Sequence, residues 1–406
     1  MRILHTADWH IGKKLYGRNR YEEHEQFFAW MIETIKEEKV EALIMAGDVF
    51  DTTAPSNRAQ ELYYNTLISA SSAGCRQIVI IGGNHDSPSL LNAPKELCSA
   101  LNIHVIGCAT GPDFEKEVIT LCNEEGEMEI IVCAVPYLRD RDLRTVVPGE
   151  TDDEKNRKYI SAITEHYEQV GKIASNLRAG TNMPIIGMGH LYTAEGQAGD
   201  GVRDLYVGNM AHLKATAFPA CYDYLAFGHL HVPQMVAGQD HIRYSGSPIP
   251  MGFGEAGQQK QVVIVDFDGR KPIVSTRDIP EFQALERVEG DFDRIVEVLN
   301  HIAKTSPTAW VQIEYTGEPF EGNLRREFED IVAPTGLEIR RVINSTSYQQ
   351  TLSNYETVET LESMDQSEVF TRCLDSYEIP DKDRPSLLAA YHEVLLKVRE
   401  EDANAA

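Results

Sequence analysis

Short apolar runs at 43–46, 78–81, 130–134, 185–188 and 225–227 recur through the first half of the chain, each ending close to Gly or Pro. Strands buried on both faces have this pattern, because neither side of such a sheet carries a polar stripe. Between them lie stretches with helical spacing. In 21–39, Phe27, Phe28, Met31, Ile32 and Ile35 share one stripe among charged residues, and 62–73 and 155–177 behave alike. The alternation predicts a layered α/β domain, β-sheets flanked by helices, with polar residues gathered in loops at the strand ends.

The pattern changes after Pro280. Residues 280–344 read as strand, helix (Phe292, Ile295, Val296, Leu299, Ile302), strand (310–315), helix (324–332) and strand (337–343), a small α+β module. Residues 345–362 are polar, rich in Ser and Thr, and read as a linker. Helical spacing returns in 363–406, with Val369, Phe370, Leu374 and Tyr377 in one segment and Leu387, Leu388, Tyr391, Val394 and Leu395 in another. Two apolar stripes with little beside them to cover predict a tail that docks on another chain, unless both helices fold back on their own domain. The main domain is then expected to span 1–279.

At 406 residues the chain exceeds the size at which one core stops growing, about 250–300 residues, in keeping with this division. It has no apolar run of membrane-spanning length, and its first residues lead straight into a polar motif, so a soluble, cytoplasmic protein without a membrane partner is expected. The seven dispersed cysteines read as reduced packing residues. A net charge of −25 argues against a broad basic face for nucleic acid. Yet 11–20 carries Lys13, Lys14, Arg18 and Arg20 without an acid, either a phosphate-contacting loop or simply a solvated basic one.

Five motifs that follow apolar runs carry the candidate chemistry: Asp8-Trp9-His10, Gly47-Asp48, Gly83-Asn84-His85-Asp86, Gly189-His190 and Gly228-His229-Leu230-His231. They supply carboxylate and amide oxygens and neutral imidazoles, the donors two adjacent divalent cations need. Alternation along an extended segment would put Asp8 and His10 on one side, and likewise His229 and His231. Asp48, emerging at a strand end, could bridge two ions, with a hydroxide shared between them attacking phosphorus in line. Two divalent ions, two aspartates and a bridging hydroxide leave about +1, suited to a singly charged phosphodiester. His85 could face substrate, with Asp51 as its carboxylate partner, although Asp51 could equally be a turn residue.

In this order the motifs resemble the calcineurin-like metallophosphoesterases. His5-Thr6-Ala7-Asp8-Trp9-His10-Ile11-Gly12, Ala46-Gly47-Asp48-Val49-Phe50-Asp51 and Tyr244-Ser245-Gly246-Ser247-Pro248 are more closely similar to the SbcD family, bacterial relatives of the Mre-type double-strand-break nucleases. The resemblance implies a nuclease domain with a capping module and tail helices, and two Mn2+ ions, Mg2+ being the alternative. Asp8, His10, Asp48 and His231 would hold one ion, and Asp48, Asn84, His190 and His229 the other, with His85 acting on the transition state or leaving oxygen. It further implies a homodimer within a heterotetramer, with 57–73 and 90–101 as candidate dimer helices. The tail would bind the coiled-coil base of an SbcC-type ATPase that gates cleavage of DNA ends and hairpins in repair and recombination. Archaeal relatives carry histidine where this chain has Asp51, so a second catalytic imidazole is not expected. The competing readings are a phosphatase or small-molecule phosphodiesterase on the same fold, and a scaffold that has lost the chemistry.

Overall fold

The structure, a computed structural model, describes residues 1–143, 151–193, 213–320 and 322–345, together with 370, 374, 384–388 and 390–391. Two six-stranded sheets lie face to face. The first has the order Lys271–Asp278, Gln261–Asp268, Ile3–Thr6, Ala42–Ala46, Gln77–Ile81, Ile103–Ile106, and the second Gln234–Val236, Gln239–Tyr244, Tyr224–Gly228, Ile185–His190, Met128–Ala134, Val118–Cys122. The central strands of both are parallel: Leu43 sits between Leu4 and Ile78, and Met188 between Ala134 and Ala226.

Apolar runs are continuous here because successive residues enter different cores. Ala42, Ile44, Ala46, Val79 and Ile81 point between the sheets, where they meet Val132, Ala134, Ile186, Met188 and Ala226. Leu43, Met45, Ile78 and Ile80 face outward onto Phe27, Met31, Ile35, Tyr63 and Leu67 of helices Tyr21–Glu38 and Asn57–Ser72. On the far side Ile131, Cys133 and Ile185 pack against Ile163, Tyr167 and Val170 of helix Asp152–Arg178. The result is four layers, helix, sheet, sheet, helix.

Helix ends follow local chemistry. Ser56 caps the second helix by accepting the Ala59 N–H, and Thr151 and Glu154 form a reciprocal capping box. Lys39 closes the first helix in the left-handed conformation, its N–H reaching the Ile35 and Lys36 carbonyls. The sequence pattern did not disclose the antiparallel hairpin of Gln261–Asp268 and Lys271–Asp278, whose second strand is mostly exposed and therefore lacks an apolar run.

Beyond Pro280, parallel strands Leu285–Gly290, Trp310–Tyr315 and Glu338–Asn344 alternate with helices Phe292–Thr305 and Leu324–Val332. They enclose a core of their own around Val288, Leu299, Val311, Ile313 and Phe328. This module meets the main domain at a small hairpin, Lys14–Leu15 paired with Arg18–Asn19, where Leu15 packs with Phe253, Leu285 and Trp310, and Arg341 donates to the Tyr16 hydroxyl at 2.8 Å. The linker, apart from Ser345, and most of the tail lie outside the described residues. Within the tail, the Phe370 and Tyr391 rings stack at 4.0 Å.

Candidate metal centre

All five motifs sit at or just beyond the C-terminal ends of the central parallel strands of the two sheets: after Ile3–Thr6, Ala42–Ala46, Gln77–Ile81 and Tyr224–Gly228, and on the last residue of Ile185–His190. Stacking two sheets therefore brings loops from distant parts of the chain to one rim. Alternation along extended segments is not what aims the side chains. Asp8, His10, Asp48 and His229 have left-handed backbones, with φ of 52°, 45°, 53° and 97°. Each such residue stores of the order of 1 kcal/mol or more, held by surrounding bonds. Asp8 N–H donates to the Gly47 carbonyl and His10 N–H to that of Asp48, both at 3.0 Å, which ties the first two loops together.

The geometry brings together all seven proposed ligands. Around a first position, Asp8, His10 and His231 present donor atoms within 4.8 Å of one another, and the His10 and His231 Nε2 atoms face each other at 3.2 Å. Around a second, Asp48, His190 and His229 do the same. Here the Asn84 Oδ1 lies 2.9 Å from His190 Nε2 and 3.2 Å from His229 Nδ1. Asp48 Oδ2 stands between the two groups, 3.5 Å from His10 Nε2 and 3.3 Å from His190 Nε2.

These atoms fit a pair of divalent cations. His190 donates its Nδ1 proton to the Ala46 carbonyl at 2.9 Å, so Nε2 turns toward the oxygens of Asn84 and Asp48. Asp8 accepts the His229 N–H on Oδ1 at 2.8 Å, while its buried Oδ2 has no protein partner. A cation shared among them satisfies such a set of facing oxygens and imidazole nitrogens at once. The protein's own charges show the same demand. Burial holds His10 down to about 4 and His229 well below the usual imidazole range, whereas Asp48 and Asp8, working against burial, lift His190 to about 9. Burial in turn pushes Asp8 up to about 6, while Asp48, despite burial, is held far below the carboxylate range by His190 and His10.

Supporting residues complete the centre. The buried Asp86 accepts N–H groups of Gly83, Phe50 and Val49 at 2.8, 3.0 and 3.1 Å, locking the Asp48 loop to the Asn84 loop. Glu255, fully buried, has Oε1 3.3 Å from His231 Nδ1 and pairs with Lys260 at 2.6 Å. Sequence reasoning missed both: Asp86 lies inside a motif but had no assigned role, and nothing local marks Glu255.

Two expectations need correction. His85 Nδ1 donates to the backbone carbonyl of Asp51 at 2.8 Å, not to its carboxylate. The Asp51 carboxylate instead faces His10 Nδ1 at 3.3 Å and Lys13 Nζ at 3.1 Å, because the loop turns it toward the first position. Arg20 is 1% exposed, with Nε donating to Glu23 at 2.8 Å and another N–H going to the Pro250 carbonyl, so it cannot reach a DNA backbone. Arg18 lies 3.8 Å from Glu338 and over the Trp310 ring, at the joint with the small module. Lys13 belongs to the Asp51 cluster, and of the four only Lys14 and Arg18 are exposed, Arg18 being the one engaged at the joint.

Packed sheets with this acceptor set at their strand ends define a metal-dependent phosphoesterase. A family profile described as calcineurin-like phosphoesterase matches residues 1–233, and another, described as the Type 5 capsule protein repressor C-terminal domain, matches 281–378. The chain is 34% identical over 391 residues to SbcD of the nuclease SbcCD from Escherichia coli K12, covering 95% of this chain and 96% of that protein. Against SbcD from Bacillus subtilis 168 it is 39% identical over 269 residues, 66% of each chain, and against that of Rhodobacter capsulatus 35% over 312 residues, 75% of this chain and 76% of that one. It belongs to the SbcD family of nucleases.

Proposed function

We propose that this centre hydrolyses phosphodiester bonds of DNA, as an exonuclease on double-stranded ends and an endonuclease on single strands and hairpins, in repair and recombination in the cytoplasm. The observation that carries this reading is the convergence of Asp8, His10, Asp48, Asn84, His190, His229 and His231 with their acceptor atoms facing one another. We assign both positions to Mn2+, with Mg2+ as the competing ion. When bound, such a pair supplies an activated water nucleophile and neutralises charge developing on phosphorus. Asp48 lies between the positions and holds them together. His85, its Nδ1 committed to the Asp51 carbonyl, keeps Nε2 for the substrate, where it stabilises or protonates the departing oxygen.

The relatives' names make each one subunit of an enzyme called SbcCD, which supports a partner subunit for this chain. We take that partner to be an SbcC-type coiled-coil ATPase bound by residues 363–406, in a heterotetramer built on a homodimer. No helix among the described residues is long and apolar enough to cross a membrane. The test supplies the full chain with Mn2+ and compares single-stranded DNA with a chromogenic phosphodiester. Cleavage of the DNA is expected; turnover of the small ester alone would favour a small-molecule phosphodiesterase. Co-purification with the ATPase, lost on deleting 363–401, checks the partner.

A further inference from the structure

The imidazoles of the first position are each backed by a carboxylate on the nitrogen that faces away from it. His10 Nδ1 is 3.3 Å from Asp51, which Lys13 holds at 3.1 Å, and His231 Nδ1 is 3.3 Å from Glu255, which Lys260 holds at 2.6 Å. Lys260 also donates to the His231 carbonyl at 3.0 Å, so a lysine, carboxylate and imidazole repeat on both sides of the 3.2 Å gap between His10 and His231. At the second position the far nitrogen of His190 donates to the neutral Ala46 carbonyl at 2.9 Å and stands 3.9 Å from Asp8 Oδ1, beyond hydrogen-bond reach.

A carboxylate behind an imidazole fixes its tautomer, holds the ring in place and makes the other nitrogen a stronger donor to a metal. The primary donors differ in the same direction. The first position has the Asp8 carboxylate where the second has the uncharged Asn84 amide, and both share Asp48. Lys13 and Lys260 anchor the supporting carboxylates and offset their charge at longer range, so the effect works through ring orientation and basicity, not net charge. Resting on the two-cation reading, we infer that the positions have unequal affinity and fill in order, Asp8, His10 and His231 first, and that Asp51 and Glu255 are positioning residues that set the difference.

The test titrates Mn2+ into the metal-free full chain, following free Mn2+ by its paramagnetic resonance and heat by calorimetry. Two classes of one ion each are expected, separated by about tenfold or more in affinity. Asp51→Asn and Glu255→Gln should each weaken the tighter class by roughly 10–100-fold and leave the weaker class within about threefold. Asp51 is 20% exposed, so Asp51→Asn is expected to fold and decides the matter should Glu255→Gln fail to fold. Two ions bound with one affinity, or losses that fall equally on both classes, would overturn the inference while leaving the two-cation reading intact. Fewer than two ions bound would overturn both.

Discussion

A Cβ placed on Gly47 would lie 2.3 Å from Nδ1 of His190, closer than any real contact allows. The residue also has φ of +88°, so the His190 ring from one sheet rests on a strand end of the other whose conformation favours glycine. Gly47→Ala should therefore shift His190 off the Ala46 carbonyl and cost about 1–2 kcal/mol in backbone strain alone. Elemental analysis is expected to find the second ion lost and the first retained; a variant holding both ions with an unchanged Tm would show that the ring can yield.

His85 contributes two separable things. Its backbone N–H donates to Asp48 Oδ1 at 2.9 Å, independently of the side chain, while its imidazole is the group proposed to serve the reaction. His85→Ala should keep both ions and lower DNA cleavage by about 10²–10⁴-fold, the usual worth of a positioned acid or base. Wild-type cleavage by this variant would remove His85 from the chemistry.

Arg20 and Lys14 should part company. Arg20→Ala leaves Glu23 buried without its partner and is expected to cost about 3–5 kcal/mol in stability, read by denaturant melts. Lys14→Ala, on the exposed hairpin, should leave stability alone and weaken DNA binding uniformly across sequences, flattening the slope of log affinity against log salt by roughly one. Equal salt slopes for Lys14→Ala and the wild type would remove that hairpin from the DNA path.

Glu255 sets an acid limit on the metal-free protein. Despite burial, His231 and Lys260 hold its carboxyl at about 2, below the ordinary 4.5. A depressed carboxylate stabilises the fold fully above its unfolded value and loses that contribution as pH falls toward the folded one. With chelator present, the stability advantage of the wild type over Glu255→Gln should be largest above pH 4.5 and shrink between 4.5 and about 2. A gap that does not change over that window would mean the carboxylate is not ionised in the fold.

The convergence of the candidate ligands was legible because residues of this kind follow apolar strands in short runs. Gly47-Asp48 after 43–46 and Gly228-His229 after 225–227 mark strand ends without any coordinates. Alternation failed as the reason Asp8 and His10 converge, since period two holds only for extended backbone and both residues have positive φ. Asp51 was placed near the right ring cluster but on the wrong imidazole, because three residues of spacing do not fix which way a loop turns its side chain.

From residue order alone follow the donor chemistry, the strand and helix periods and the charge balance that suits a phosphodiester, since each depends on identity and local spacing. Folding alone could settle which carboxylate backs which histidine, why Glu255 reaches His231 and why Arg20 is buried. Those are contacts between segments tens to hundreds of residues apart, made by stacking one sheet on another, and local propensity carries no record of them.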